Sequence, residues 1–241
     1  MRYKVTGYEL WRGRSRFNGR RIVVIMTIKS GNDKTGNMVQ VWILCQDEPP
    51  HLAVKSGADA AICGNCRFRR TADGGCYVMP FQGPLSVYRA WKRGAYPIAS
   101  AEVVREVCKG RKVRMGAYGD PVAAPLWVFQ RLADASAGWT GYTHAWRRSM
   151  ARGFRGLLMA SVESIEGARK AQSAGWRTFR GTAPGAMLLG SELLCLSELK
   201  GLSCLKCGRC NGASLGAAKQ PKSFTIPVHG FNSAAALRVV S

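Results

Sequence analysis

Lys112-Val-Arg-Met-Gly-Ala-Tyr118 is a short apolar run closed by Gly119-Asp-Pro121, and the next such run, Trp139-Thr-Gly-Tyr-Thr143, follows a span of helical periodicity from Val122 to Ala137. Strand, crossover and strand is the unit of a parallel sheet, because parallel neighbours need a connection of a dozen or more residues. The rhythm repeats. Gly156-Leu-Leu-Met-Ala-Ser-Val162, Trp176-Arg-Thr-Phe-Arg180, Glu192-Leu-Leu-Cys-Leu196 and Ser223-Phe-Thr-Ile-Pro-Val228 are further runs, and Ile165 to Ala174 is a second helical span. Ala137-Gly138 and Ala174-Gly175 read as glycine C-caps before the strands that follow. These alternations predict an α/β fold: a partial or complete parallel (β/α) TIM-like barrel.

Upstream, residues 1 to 37 are rich in Arg and Gly and read as a basic N-terminal β extension to a barrel-like metal-binding domain over 38 to 241. Arg21-Ile-Val-Val-Ile-Met-Thr-Ile28 is a β run, Ser30 to Asn37 is turn-forming, and Met38 to Cys45 is a second strand. Glu102 to Lys109 and Leu85 to Lys92 read as helices, the latter entered through the turn Pro80-Phe-Gln-Gly-Pro84. Met1-Arg-Tyr-Lys-Val is polar and strand-like rather than a charged-then-apolar leader, which predicts a reducing, cytoplasmic setting. No apolar run reaches the length of a membrane span.

Six of the nine cysteines fall into two groups: Cys63, Cys66 and Cys76, spaced C-x2-C-x9-C, and Cys204, Cys207 and Cys210, spaced C-x2-C-x2-C with Cys195 just upstream. Thiolates at two-residue spacing converge in a tight turn, as a tetrahedral Zn2+ or an iron-sulfur cluster requires. In a reducing compartment such groups read as metal-binding loops rather than disulfides. His229 competes with Cys195 as fourth ligand of the second group. Cys45 and Cys108 read as buried thiols, and Trp127 and Phe129 as core.

Lys plus Arg number 36 against 14 Asp plus Glu, a formal charge of +22. Folding does not need that imbalance, so a polyanion, DNA or RNA, is the expected partner. Arginines lie beside aromatics in Phe68-Arg69-Arg70, Trp91-Lys92-Arg93 and Trp146-Arg147-Arg148, which marks Arg69, Arg70, Trp91, Arg93, Trp146, Arg147 and Arg148 as phosphate-binding and base-stacking candidates.

In parallel (β/α) folds the chemistry sits at the C-terminal ends of the strands. The segments there are Gly116-Ala-Tyr-Gly-Asp-Pro121, Thr140-Gly-Tyr-Thr-His-Ala-Trp146, Ser161-Val-Glu-Ser164 and Val228-His-Gly230. They place Asp120, Tyr142, His144, Ser161, Glu163 and a metal centre on one rim, with Asp120, Tyr142, His144 and Glu163 as the catalytic candidates. Each has an ordinary structural role open to it: Asp120 as a helix N-cap, His144 as a satisfied polar group, Glu163 as a surface carboxylate at a helix start.

Taken together, Cys63-Gly-Asn-Cys66 leading to Cys76-Tyr77, Gly116 to Pro121, Thr140 to His144, Ala160-Ser-Val-Glu-Ser164 and the Cys204, Cys207, Cys210 to His229-Gly230 tail resemble a phage- and prophage-associated cysteine-rich family, over about Thr35 to Gly230. More loosely, the chain is similar to phage proteins described as radical-SAM-like. That resemblance implies a bacterial host cytoplasm, a [4Fe-4S] cluster on Cys63, Cys66 and Cys76 with one open iron, and S-adenosylmethionine bound near Gly116, Gly119, Ser161 and Glu163. It implies an enzyme that modifies a nucleic acid or nucleobase. The spacing C-x2-C-x9-C departs from the C-x3-C-x2-C loop of radical-SAM enzymes, and Gly119-Asp120 would have to stand in for their glycine-glycine-acid motif. Two other readings stay open: a zinc-containing base-exchange enzyme similar to queuine-type transglycosylases, which needs two active-site aspartates, and a zinc-stapled nucleic-acid-binding protein without catalysis.

Overall fold

A computed structural model describes residues 5–72, 74–230 and 232–240. The strand-like start, Met1 to Lys4, lies outside them. The strands are β1 (Gly7–Arg14), β2 (Arg21–Thr27), β3 (Val39–Cys45), β4 (Lys112–Tyr118), β5 (Gly138–Thr143), β6 (Met159–Val162), β7 (Thr178–Thr182), β8 (Glu192–Leu194) and β9 (Ser223–Pro227). The helices are α1 (Pro50–Ser56), α2 (Ala60–Cys63), α3 (Gly83–Lys92), α4 (Ala101–Cys108), α5 (Leu126–Ala135), α6 (Ile165–Ser173), α7 (Leu196–Lys200), α8 (Cys204–Cys207) and α9 (Ser233–Val240).

Among the described residues, nine strands join one sheet in the order β1-β2-β3-β4-β5-β6-β7-β9-β8. The first two ladders are antiparallel and the other six parallel, so the fold is α/β on a mostly parallel sheet. No helix among the described residues is long and apolar enough to cross a membrane. The basic N-terminal segment contributes β1 and β2 to this sheet, and Ile22 to Met26 are fully buried, covered on both faces as a continuous apolar run must be.

One face of the sheet packs against helices. Val113 and Met115 of β4 meet Val104 and Cys108 of α4 and Val128, Phe129 and Leu132 of α5, while Ala160 and Val162 of β6 meet Ala168 and Ala171 of α6. Side chains alternate along a strand, so Arg114, Thr140, Tyr142, Met159, Ser161, Phe179 and Phe224 share the opposite face, in register from β4 to β9. There Met159, Phe224 and Cys210 form a second small core with Tyr142 and Phe179 against it.

Three expectations need correction. The helical span Val122 to Ala137 is a short 3-10 turn over Pro121–Ala123 followed by α5, because Pro125 forces Ala124 into an extended conformation (φ −116°, ψ 169°). Gly138 does not cap that helix: Ser136 does, in an extended conformation, while Gly138 opens β5 with φ +149°. Gly175 does follow its helix in the left-handed region, φ +81°. Trp127 is 48% exposed rather than core.

The run Gly156 to Val162 is strand only from Met159, for a reason that matters to the site. β5 and β6 pair only at Tyr142–Met159 and Thr143–Ala160. Beyond that point the segment 209–213 enters the seam: Gly141 N–H donates to the Cys210 carbonyl at 3.0 Å and Ala213 N–H to that of Arg155 at 2.7 Å. Only glycine fits at 212, since a Cβ there would lie 2.3 Å from the Arg155 oxygen. The buried Arg177 guanidinium donates to the carbonyls of Arg209, Asn211, Gly212 and Lys222, fixing the wedge.

Candidate functional site

The rim group is assembled by the long connection between β3 and β4. Cys63 ends α2, Gly64 turns the chain at φ +56°, and Cys66 N–H returns to the Cys63 carbonyl at 3.3 Å, so both thiols leave one tight turn. Arg69 pins the loop through a buried ion pair with Asp59 and donates to the carbonyls of Gly57 and Gly64. Cys76 N–H donates to the Phe68 carbonyl at 2.9 Å, which folds the third thiol back. Cys63, Cys66 and Cys76 lie within electrostatic reach of one another: burial pushes the Cys63 thiol well up, and thiolates at Cys66 and Cys76 would push it further. Burial likewise raises Cys76.

His144 joins this group from the end of β5. Its imidazole lies within electrostatic reach of Cys66, and its Nδ1 stands 3.3 Å from Oε1 of Glu163, just past β6. Burial opposes its protonation, but the negative charge of Cys66 and Glu163 outweighs that and holds the imidazole well above its usual range. Phe68 packs on the imidazole with ring centroids 5.6 Å apart. The rim therefore brings together Cys63, Cys66, Cys76, His144 and Glu163 from three connections that are distant in sequence.

Asp120 lies beside them in a structural role. Its Oδ1 accepts the N–H of Val122 at 3.0 Å, and its Oδ2 accepts the Thr143 hydroxyl and the His144 N–H, each at 2.9 Å. Burial raises this carboxyl, and those donors hold it back down. Asp120 thus caps the turn after β4 and fixes the backbone that carries His144. Gly116 (φ +75°) and Gly119 (φ +81°) serve the same turn: a Cβ on Gly119 would fall 2.8 Å from the Ile43 Cβ, and one on Gly116 2.8 Å from the Gly119 carbonyl, so neither position has room for a side chain.

The second thiol group lies elsewhere, across the face opposite the helices and toward the N-terminal ends of β3 and β4. Cys204 and Cys207 bracket the single turn α8, capped by Ser203 at its start and by Gly208 (φ +63°) at its end. Cys204 N–H donates to the Lys34 carbonyl at 2.8 Å and Leu205 N–H to Thr35 at 3.1 Å, tying the turn to the chain before β3. Cys195, Cys204, Cys207 and Cys210 line a single cavity of about 20 Å3 together with Thr140, Tyr142 and the loop around Ser197. Tyr142 lines the cavity with Cys210, whose thiol burial pushes up to about 12. Burial also raises Cys204, and the Arg114 guanidinium lowers it. The Thr140 hydroxyl is buried in the cavity wall with no hydrogen-bond partner among the described residues.

Tyr142, placed by sequence on the rim with Asp120 and His144, belongs instead to this second group: it stacks on Phe179 at 4.6 Å, and Arg114 lies 4.5 Å over its ring. Ser161 shares its face, opposite Phe179 in register. His229 does not line the cavity; its Nδ1 contacts the Pro227 carbonyl at 2.8 Å, and its Nε2 faces Lys34 Nζ at 2.6 Å and Glu198 at 3.8 Å. All nine cysteines are free thiols, Cys45 and Cys108 buried as expected, the former pushed up to about 12. Among the described residues no three His, Cys, Asp or Glu side chains form a group that could hold a metal ion as they stand, so an ion at either group would have to draw the side chains inward.

Of the arginine and tryptophan residues marked for nucleic acid, several are committed to the fold. Arg69 is paired with Asp59, Trp91 Nε1 donates to Glu9 at 2.8 Å, Arg148 lies over Phe17 and Trp146 is buried. Arg70, Arg93 and Arg147 are exposed, Arg147 stacked 4.0 Å over Trp146. Sequence reading overlooked Arg114, Thr140 and Asp59. A charge inside the apolar run Val113-Arg-Met115 was the available signal for Arg114, since a buried guanidinium needs partners; it finds Tyr142 and, at 3.2 Å, the Tyr77 hydroxyl.

Fold and site define a basic α/β protein with two separate thiol groups, one on the C-terminal rim of the sheet beside a histidine–glutamate pair and one closed by four cysteines on the face opposite the helices. Compared with known proteins, the chain matches no family model, no curated protein and no solved structure.

Proposed function

We propose that this chain is a zinc-stabilised protein that acts on nucleic acid, its sheet forming a partial (β/α) barrel, with Zn2+ held by Cys195, Cys204, Cys207 and Cys210 in a reducing bacterial cytoplasm. The cavity lined by those four thiols is the observation that carries this reading. A four-thiolate set closes a tetrahedral structural zinc site, and about 20 Å3, close to the space of one water-sized sphere, suits a single ion better than a four-iron cluster. The donor chemistry fits: Tyr142 lines the cavity with Cys210, Arg114 lowers Cys204, and the Thr140 hydroxyl, without a partner among the described residues, is free to donate to a bound thiolate, the kind of outer support that tunes metal sites. With Cys195 supplying the fourth thiol, His229 is left to its contacts with Lys34 and Pro227. The +22 charge and the exposed Arg70, Arg93 and Arg147 support a phosphate-rich partner.

A second reading, an iron-sulfur enzyme of the radical-SAM-like kind that modifies a nucleobase, draws support from the three thiols at the C-terminal rim, where such barrels keep their chemistry. The base-exchange reading has less support, because both oxygens of Asp120 are already engaged. Metal content and the visible spectrum of anaerobically purified protein separate these. A colourless protein carrying zinc, whose nucleic-acid affinity falls steeply with salt, is the expected result; a brown, iron-loaded protein would overturn it in favour of the second reading.

A further inference from the structure

We infer that the rim group is itself a Cys3His zinc site, with Cys63, Cys66 and Cys76 as the thiolate ligands, His144 as the fourth ligand and Glu163 as the carboxylate that orients the imidazole. Three thiols and one imidazole are a standard ligand set for a structural zinc ion. Here they come from separate parts of the chain: the C-x2 turn brings Cys63 and Cys66 together, the bond from Cys76 N–H to the Phe68 carbonyl returns the third cysteine, and the Phe68 ring packs on the His144 imidazole with centroids 5.6 Å apart, so a bound ion would draw these side chains inward.

The orientation of His144 is what a ligand requires. Its Nδ1 faces Glu163 at 3.3 Å, which leaves Nε2 for a metal, and a metal-bound histidine commonly donates its other ring N–H to a carboxylate. Its backbone is clamped by Asp120 at 2.9 Å, and Asp120 N–H in turn donates to the Ile62 carbonyl, one residue before Cys63. The strand end that carries the imidazole and the helix end that carries the thiols are thereby joined. A thiol nucleophile with a His–Glu pair would need Cys66 alone. The placement of Cys63 and Cys76 within electrostatic reach of it has no purpose in that chemistry and a direct one in metal ligation. The inference also fills the position that an open cluster would leave free, so it competes with the iron-sulfur reading and does not depend on the four-thiol site.

The test uses the full chain carrying Cys204→Ser and Cys207→Ser, loaded with Zn2+ alone, and reads the zinc coordination shell by X-ray absorption. Three sulfurs at about 2.3 Å and one nitrogen at about 2.0–2.1 Å are expected. His144→Cys should convert the shell to four sulfurs with binding kept, and Glu163→Gln should weaken zinc about 10- to 100-fold in chelator competition while leaving the shell unchanged. If the Ser variants do not fold, the otherwise unaltered chain serves: its average shell should lose its nitrogen on His144→Cys. A shell without nitrogen, unchanged affinity on His144→Ala, or a zinc-free rim whose Cys66 alone is alkylated rapidly would each overturn the inference.

Discussion

The guanidinium of Arg180 and the carboxylate of Glu192 meet in a bidentate pair, 2.9 Å from Nε to Oε1 and 2.7 Å from Nη2 to Oε2, spanning from β7 to β8 past the intervening β9. Both side chains are almost fully buried, and each holds the loop between them: Arg180 donates to the Met187 carbonyl and Glu192 accepts the Leu189 N–H. Removing one partner strands a charge, so Arg180→Met or Glu192→Gln should cost about 3–5 kcal/mol, whereas Arg180→Met with Glu192→Leu should cost much less. Urea unfolding of the three variants measures this; simple additivity of the single losses would mean that the pair is not coupled.

Asp120→Ala should destabilise the fold by about 1–3 kcal/mol, because the N–H groups of Val122 and His144 and the buried Thr143 hydroxyl lose their acceptor. The pH dependence has a definite sign. Burial raises the folded-state carboxyl above its unfolded value, so the folded chain binds this proton more tightly, and the group's contribution is lost as pH rises through the folded value. Relative to Asp120→Asn, the unsubstituted protein should therefore gain stability on acidification from the raised value down to about 3.9 and level off below it. Denaturation midpoints at stepped pH would show it.

Two neighbouring arginines should behave differently. Arg69→Met removes the partner of buried Asp59 and the donors to the Gly57 and Gly64 carbonyls, so its effect should appear as unfolding of the Cys63–Cys76 loop, read by hydrogen exchange. Arg147→Glu, at an exposed side chain, should leave stability nearly unchanged and lower nucleic-acid affinity, reducing the salt slope by about 0.9 for each phosphate that is no longer neutralised. A weakening by Arg147→Glu that is independent of salt would argue against a phosphate partner for this side chain.

Loading Zn2+ at the four-thiol site should release protons, because burial keeps Cys204 and Cys210 protonated in the metal-free protein. Affinity should fall as pH is lowered from about 8 to about 6, as protons compete with the metal for the thiolates. Indicator-dye titration in weak buffer gives the proton count. Tyr142→Phe, which removes a hydroxyl from the cavity that Cys210 lines, should weaken binding about 10-fold or more without changing the ligands.

Much of the sheet was legible because its strands are apolar runs set off by turn residues: β4 spans Lys112–Tyr118 as read, and α6 begins at Ile165 behind its Ser164 cap. β1 escaped notice because its alternation is broken by a register shift between Glu9 and Trp11 and because it reads as Arg- and Gly-rich, although Glu9 is 2% exposed. Pro125 should have shortened the α5 expectation. At the site, the gathering of Asp120, His144 and Glu163 followed from the rule that strand C-termini share a rim. Tyr142 and His144 are two residues apart and so start toward the same face, but Tyr142 lies within β5 over the small core, whereas His144 lies past the strand's end at Thr143 and meets Glu163. No spacing rule could reveal that 209–213 enters the seam between β5 and β6.

That wedge imposes an order on biosynthesis. Gly141 emerges from the ribosome long before the Cys210 carbonyl that its N–H will meet, so β5 exists for a time with part of its edge open. The strands up to β5 and the helices beside them can assemble early through mostly neighbouring ladders, whereas the seam closes only after residue 213 has been made. Closure over so long a stretch is slow, and an uncovered strand edge invites pairing with another chain. Whatever hastens folding of the Cys204–Cys210 turn during synthesis shortens that exposure and raises the yield of intact protein.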